Sequence, residues 1–197
     1  MYHVRHLEPV PSDVPQVLDS APPPQISGRM SLILNSRGPL LFVIPARSNA
    51  TYLNFALRIA HNLNIYHKLD SNIIGAQEAL QHLEDQSFPE QNMVVIGGRN
   101  NDFSVTILAQ ARTSFQLRDN ILNLNDRPLG REESALFLHP HPTSPVALMM
   151  FIFASDDESL ERAHRLFPIR TGVTVPDWII LSPDTDAMAA GGVRGAG

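Results

Sequence analysis

Three short runs of consecutive apolar residues punctuate the chain: Leu40–Ile44 (LLFVI), Met93–Ile96 (MVVI) and Leu148–Ala154 (LMMFIFA). Each run ends at a proline, a glycine or a serine, and none alternates with polar positions. Strands that are covered on both faces have this composition, because neither face of the sheet meets water. The pattern therefore predicts three inner strands that lie side by side in one sheet.

Stretches with the helical period of apolar residues lie between these runs. A polar residue that can cap a helix stands just before two of them, which strengthens the helix prediction. The predicted helices, with their candidate N-cap residues in brackets, are Tyr52–Leu63 (Ser48 or Asn49), Ala76–Glu84 and Phe103–Ala111 (Asn101 or Asp102).

A capping box marks a further helix directly after the third apolar run. Ser155 and Glu158 have the spacing in which each side chain satisfies the backbone N–H of the other. The residues that follow place Leu160, Ala163 and Leu166 on one face. We expect that face to pack against the sheet.

The remaining segments complete an alternation of strands and helices. Ile73 and Ile74 form a short strand in this interpretation, and Trp178–Leu181 forms a final strand. Residues 115–138 lose the helical period and are rich in Asn, Asp, Pro and Gly, so we expect a small antiparallel excursion there. The predicted fold class is α/β: three layers, with a mostly parallel sheet and helices on both faces, in the Rossmann-like or flavodoxin-like manner.

Composition divides the chain into three parts. Residues 1–29 contain prolines in singles and in the run Pro22–Pro24, so we expect an extended lead-in or linker. Residues 30–182 form a single α/β domain in this interpretation. Residues 183–197, which are polar and rich in glycine, are predicted to be a flexible tail.

The charge balance narrows the possible partners. Fifteen basic and twenty acidic side chains give a net charge of -5, and no cluster of Lys or Arg is present. Nucleic acid is therefore not an expected partner, because phosphate-backbone binding needs a basic patch. No apolar run is long enough to predict a membrane span, and the first residues do not have the pattern of a signal peptide.

Three loops could bind an anion, because ligands of open parallel sheets gather beyond the carboxyl ends of the strands. Capping alone also explains the polar residues of these loops. The loop after LLFVI has no glycine, which disfavours a flavin phosphate, and no cofactor is predicted. The candidate ligand-binding residues in the three loops are Arg47, Ser48, Gly97, Gly98, Arg99 and Ser155.

The sequence contains no evident catalytic nucleophile. A G-x-S-x-G segment, in which glycines permit the strained turn beneath a nucleophilic serine, does not occur. Ser155 stands between a strand and a helix, but the acids Asp156 and Asp157 beside it would oppose an oxyanion. No catalytic residue is therefore predicted in this chain.

Two further motifs carry candidate chemistry. His139 and His141 could share a metal ion as an H-x-H pair, but no third ligand is evident, and the prolines that follow each of them already explain a rigid extended segment. Asn49-Ala50-Thr51 is the only N-glycosylation sequon, so Asn49 is the candidate glycan acceptor if the protein is exported.

Four segments resemble a known region of larger proteins. The segments, in order, are Met93–Asn100 (MVVIGGRN), Ala135–Pro142 (ALFLHPHP), Leu148–Leu160 (LMMFIFASDDESL) and Val175–Ile180 (VPDWII). Their order resembles the C-terminal α/β region of secreted, fungal-type prolyl-oligopeptidase-like or esterase-like proteins of the α/β-hydrolase superfamily. The resemblance covers roughly residues 30–182 and rests on the order of the segments.

The resemblance implies that the catalytic serine, acid and histidine lie in a neighbouring hydrolase domain of the same parent chain. The expected function is that of a non-catalytic accessory or interaction domain of a secreted serine hydrolase. The alternative is a free-standing hydrolase, or a protein that binds a small anion at the three loops. Secretion, as part of the parent protein, is the localisation that the resemblance implies.

Overall fold

The computed structural model describes residues 29–46, 48–110, 113–167, 176–188 and 192–197. The proline-rich lead-in up to residue 28, and also Arg47 and Ala111, lie outside these residues. The described chain forms a seven-stranded mixed sheet with helices on both of its faces, and a separate three-stranded sheet. The predicted α/β fold class is confirmed.

Strands and helices alternate along much of the chain. The strands are β1 (Leu40–Ile44), β2 (Ser71–Gly75), β3 (Met93–Ile96), β4 (Phe115–Arg118), β5 (Ile121–Leu124), β6 (Arg127–Pro128), β7 (Ser134–Pro140), β8 (Leu148–Phe153), β9 (Trp178–Leu181) and β10 (Val193–Ala196). The helices are α1 (Ala50–His67), α2 (Ala76–Glu84), α3 (Asp102–Leu108), α4 (Asp157–His164) and α5 (Asp184–Met188), and a short 3-10 helix, Met30–Leu34, precedes β1.

The seven-stranded sheet has the order β10-β9-β7-β8-β3-β1-β2. The three apolar runs of the sequence form β1, β3 and β8, which are neighbours and run parallel, as predicted. β2 extends this parallel half, whereas β7, β9 and β10 add antiparallel pairings on the other side of β8. Every residue of β1 and β3 is buried, because helices or the small sheet cover both faces.

Two separate apolar cores hold the layers together. On one face of the sheet, α1, α4 and the 3-10 helix cover side chains such as Phe42, Ile96 and Ile152. On the other face, α2, α3 and the three-stranded sheet cover side chains such as Val43 and Phe151. This alternation follows from the period of two along a strand, which sends successive side chains to opposite faces.

Asn49 begins α1, one of the two residues that the sequence offers for this role. Its Oδ1 accepts hydrogen bonds from the backbone N–H groups of Thr51 and Tyr52. At the other end, Lys68 adopts a left-handed conformation with φ 55° and closes the last turn. The helix is longer than predicted, because its exposed face continues beyond the last buried residue, Leu63.

The cap of α4 lies one residue later than predicted. The residue at the N-cap is Asp156, whose Oδ1 accepts from the backbone N–H of Ser159 at 2.7 Å. The Ser159 hydroxyl in turn accepts from the N–H groups of Asp156 and Ser155. The predicted pair of Ser155 and Glu158 is therefore wrong, because Asp156 and Ser159 form the capping box one residue further along the chain.

The buried face of α4 also differs from the prediction. Leu160 and Ala163 are buried as expected, but Leu166 follows the end of the helix and is exposed. Arg162 is buried instead, with 3% of its surface accessible. Its guanidinium donates to the Asp186 carboxylate and to the Glu132 backbone oxygen, so a charged side chain occupies a place that the periodicity left unassigned.

The antiparallel excursion is shorter than the sequence indicated. Strands β4, β5 and β6 form it, and it ends at Pro128. Its two tight turns, at Asp119-Asn120 and Asn125-Asp126, have positive φ at both central residues, which Asn and Asp tolerate. Residues 134–138, which the prediction placed in the excursion, belong to β7, a buried inner strand of the main sheet.

The described part of the C-terminal segment, where a flexible tail is predicted, contains a short helix and a strand. Residues Asp184–Met188 form α5, and Val193–Ala196 pair antiparallel with β9. The Ser182 hydroxyl donates to the Gly192 backbone oxygen at 3.0 Å and holds the segment to the sheet. β10 is an edge strand that pairs with β9 alone among the described strands, and none of its residues is fully buried. Such a strand does not need the alternating apolar residues by which a sequence predicts a strand.

Candidate functional site

The connections of the sheet place a topological switch point between β1 and β3. The chain leaves β1 through α1 to β2 on one side, and then returns through α2 to β3 on the other side. Open α/β sheets bind ligands in the crevice beyond the carboxyl ends of the two strands at such a point. The loops that follow β1 and β3 are therefore the first place to look for a site.

Side chains of the protein itself occupy this crevice. The Tyr52 hydroxyl accepts a hydrogen bond from Asn100 Nδ2 at 2.8 Å, and Asn100 Oδ1 accepts from the Gly98 N–H at 3.2 Å. Burial raises the pKa of Tyr52, and the charges of Asp157 and Asp156 act in the same direction, although the hydrogen bond from Asn100 opposes them. The phenol is therefore neutral at physiological pH, and its hydrogen bond with Asn100 joins the first turn of α1 to the loop after β3.

The two glycines after β3 make room for these neighbours. Gly97 has φ 107°, and a Cβ atom there would lie 3.1 Å from Asn100 Oδ1 and from Pro45 Cγ. A Cβ atom at Gly98 would lie 2.7 Å from the backbone oxygen of Ala154. Glycine is thus required at both positions for close packing of the chain against itself. Their predicted role in ligand binding stays a prediction.

Asn101 ties the ends of β1 and β3 to the start of α3. It is fully buried, and its Nδ2 donates to the Ile96 backbone oxygen at 2.8 Å and points also to the Val43 oxygen at 3.5 Å. Its Oδ1 accepts from the Ser104 N–H and caps the helix. The prediction named Asn101 as a possible cap but did not foresee that the same side chain joins two strands.

The other predicted ligand residues do not form a common cluster. Ser48, Arg99 and Ser155 are all exposed, and Arg47 lies outside the described residues. Arg99 makes no ion pair or hydrogen bond with a side chain in the described part of the chain. The acids at the start of α4 lie on the same rim, and their negative charge opposes an anionic ligand.

Ser155 lacks the surroundings of a nucleophile. A catalytic serine needs a base within hydrogen-bond reach of its hydroxyl. Across the residues that the structure describes, no group forms a hydrogen bond with the Ser155 hydroxyl, and its backbone N–H serves the capping box of α4. Its neighbours Asp156 and Asp157 are acids, not oxyanion donors. The absence of a catalytic residue from this chain stays a prediction.

His139 and His141 lie at the opposite edge of the sheet. β7 runs antiparallel to β8, so its end meets the start of β8, where Pro140 pairs with Leu148. His141 Nδ1 accepts from the backbone N–H groups of Thr143 and Ser144, at 3.3 and 3.1 Å, and burial lowers the pKa of His141 to about 4.

This use of His141 restricts a metal role for the pair. Because Nδ1 faces two N–H groups, only Nε2 could face an ion. Among the residues that the structure describes, no group of three His, Asp or Glu side chains is arranged to hold a metal ion. The ring serves instead as a hydrogen-bond acceptor that shapes the turn between β7 and β8.

No described helix is both long enough and apolar enough to cross a membrane. A scan against models of known protein families finds no match for this chain, and a search of curated proteins finds no match either. The functional interpretation therefore rests on the geometry described above and on the order of the sequence segments.

Proposed function

We propose that this chain is a non-catalytic accessory domain that packs against the catalytic domain of a larger, secreted serine hydrolase. The resemblance of its ordered segments to prolyl-oligopeptidase-like and esterase-like proteins supports the class of parent. The observation that carries the docking role is an apolar surface on the outer side of α1. This surface, which we call the α1 outer surface, consists of Leu57, His61, Ile65 and Tyr66.

The α1 outer surface is open to solvent along the second half of the helix. Leu57 is 49% exposed, Ile65 is 46% exposed and Tyr66 is 70% exposed. Leu57, His61 and Ile65 follow one another at intervals of four residues and therefore form a stripe along one side of the helix. Isolated exposed apolar residues are ordinary, but Leu57 and Ile65 lie on the same side of one helix, with His61 between them and Tyr66 beside them, and such grouping favours a contact surface.

The fold itself does not require these apolar residues. The inward side of α1 is complete, because Phe55, Ile59 and Leu63 are buried in the core against the sheet. Leu57 and Ile65 point away from that core, where polar side chains would satisfy the helix equally well. A neighbouring domain that covers the stripe would remove apolar surface from water and stabilise the contact.

Charges around the stripe favour a particular kind of partner. α1 contains no Asp or Glu, and its Arg58 pairs with Glu161 of α4, which lowers the pKa of that carboxyl. The exposed acids on α2, Glu78 and Glu84, lie across the sheet on the other face. Because Arg58 is already paired, we expect an apolar and largely uncharged partner patch to fit α1 better than the acidic α2 face.

Hydroxyl-radical footprinting tests the docking surface. In the full parent protein, we expect the modification rates of Leu57, Ile65 and Tyr66 to fall several-fold relative to the isolated chain. Val146 and Ile121, which are exposed apolar residues on other parts of the domain, serve as controls and should react equally in both forms. Equal modification of α1 in both forms would rule out this surface as the docking site.

Paired substitutions separate docking from folding. The Leu57→Glu/Ile65→Glu variant of the parent should lose the protection of Tyr66, since each buried carboxylate would weaken the contact by about 2 kcal/mol or more. Because Leu57 and Ile65 are exposed, the double substitution should leave the unfolding free energy of the isolated domain almost unchanged. Val146→Glu is the matched control, because it places the same charge on an exposed aliphatic site away from α1.

A further inference from the structure

We infer that Asn49 is an N-glycan acceptor whose glycan stands over the rim of the sheet while the helix cap remains intact. The inference rests on the proposed export of the parent, because the modifying enzyme works inside the secretory pathway. It goes beyond the sequon, since many sequons fold into places that a glycan cannot occupy. Three features of the structure make this site compatible with a glycan.

The first feature is that the helix cap uses only one of the two polar atoms of the Asn49 side chain. Oδ1 accepts from the N–H groups of Thr51 at 3.2 Å and Tyr52 at 3.4 Å. This geometry assigns the oxygen to the helix and leaves Nδ2 as the other amide atom. No group in the described ranges accepts a hydrogen bond from Nδ2. The atom that a glycan needs is thus the one that the fold does not use.

The second feature is access. Ser48, Asn49, Ala50 and Thr51 are all exposed, so the sequon stands free at the start of α1. Thr51, whose hydroxyl the transferase must read, makes no side-chain hydrogen bond with the described residues.

The third feature is the direction of the site relative to the α1 outer surface. A helix rises 1.5 Å per residue, so Leu57 lies about 12 Å and Ile65 about 24 Å along the axis from Asn49. A glycan at Asn49 would shield the rim near Tyr52 and Asn100 and would leave the far half of α1 free. Ile65 and Tyr66 are therefore the part of the α1 outer surface that a glycan at Asn49 obstructs least.

The chemistry is a group transfer that needs no redox partner. The Asn49 Nδ2 attacks the anomeric carbon of a lipid-pyrophosphate-linked oligosaccharide, and a new C–N bond replaces the C–O bond to the pyrophosphate. Nδ2 loses one proton, and the lipid pyrophosphate leaves. The amide carbonyl is untouched, so Oδ1 keeps its two hydrogen bonds from the helix.

The test expresses the full 197-residue chain behind an added secretion signal in eukaryotic cells. We expect one glycan, seen as a single upward step in mass that a peptide N-glycosidase removes, with the modification mapped to Asn49. Thr51→Ser keeps the sequon and should keep the glycan, whereas Thr51→Ala should lose it. Secreted, folded chain without a glycan on Asn49 would overturn the inference.

Asn49→Asp is the matched structural control. Its carboxylate can still cap α1 but offers no amide nitrogen, so the variant should fold like the unsubstituted chain and carry no glycan. The added signal keeps the two proposals distinguishable. The redirected chain tests whether Asn49 is a competent acceptor, whereas the location of the natural parent tests its export, so failure of one proposal is distinguishable from failure of the other.

Discussion

Asn101→Asp is expected to destabilise the domain by about 3 kcal/mol at neutral pH, because it places a carboxylate against two backbone oxygens in the core. The substitution keeps the size of the side chain and the acceptor that caps α3. It removes the donor that reaches the Ile96 oxygen at 2.8 Å. Protonation of the new carboxyl would restore a donor. For an ordinary carboxyl pKa this protonation costs about 4 kcal/mol at pH 7, so the destabilisation cannot exceed about that value.

The sign of the pH dependence follows from that protonation. Burial against two oxygens raises the pKa of the introduced carboxyl above its unfolded value. The variant therefore regains stability relative to the unsubstituted domain as pH falls toward 4. Chemical denaturation at pH 7 and pH 4.5 measures the difference. Asn49→Asp, the same change at an exposed helix cap, should alter the unfolding free energy by less than about 0.5 kcal/mol. Equal effects at the two sites would contradict the role assigned to Asn101.

His141 is expected to make the domain lose stability in mild acid. Burial lowers the pKa of His141 from 6.5 to about 4, because desolvation disfavours the charged ring, and the neutral ring accepts the N–H groups of Thr143 and Ser144 through Nδ1. The stabilisation is fully present above pH 6.5 and is lost as pH falls toward the folded pKa near 4. The expected loss over this window is roughly 2–3 kcal/mol.

His141→Asn isolates this contribution. The Asn Oδ1 can accept from N–H groups two and three residues further on, as in an Asx turn, and it does not titrate. We expect a cost of about 1 kcal/mol from the lost contact of the ring with Phe88, and a flatter stability curve between pH 6.5 and 4.5. An unchanged slope in the variant would show that His141 does not carry the acid sensitivity.

His164 contributes to the same window and needs its own control. Burial lowers the pKa of His164, and the charge of Arg58 acts in the same direction, so protonation of this ring also costs stability below pH 6.5. A slope that remains in His141→Asn should vanish when His164→Gln is added. Asp186, whose pKa is lowered by its hydrogen bond to Arg162, loses its contribution only as pH falls below the ordinary range of a carboxyl.

The sequence predicted the elements whose environment is local or uniform. LLFVI, MVVI and LMMFIFA are buried on both faces, so composition alone marks them as inner strands, and the structure places them side by side. The bounds of α2 and β3 were also predicted correctly, because a period change and a glycine pair mark their ends.

Features that depend on distant partners were not predictable. The sequence places β7 in the polar excursion, because its pairing with β8 on one edge and β9 on the other is not visible locally. Likewise, β10 forms by pairing with the free edge of β9. Arg162 is buried because Asp186 and the Glu132 carbonyl meet its guanidinium, and these partners lie 24 and 30 residues away along the chain.

At the rim of the sheet, too, contacts between residues far apart in the chain were not predictable from the sequence. The three loops lie beyond the carboxyl ends of β1, β3 and β8, as the sequence indicated, and their binding of a ligand stays a prediction. Tyr52 and Asn100 were not singled out, since nothing local shows that the phenol and the amide meet across 48 residues. A tyrosine in the first turn of a helix that follows an inner strand was the only available hint.

Labelling with a fluorophosphonate, which reacts with activated serines by loss of fluoride, tests the proposed function most directly. Peptide mapping of the labelled natural parent should find the label on a serine outside these 197 residues, and the isolated chain should remain unlabelled. Label on Ser155, or on any other serine of this chain, would contradict a non-catalytic role. A natural parent that takes up no label would contradict its assignment to a serine hydrolase.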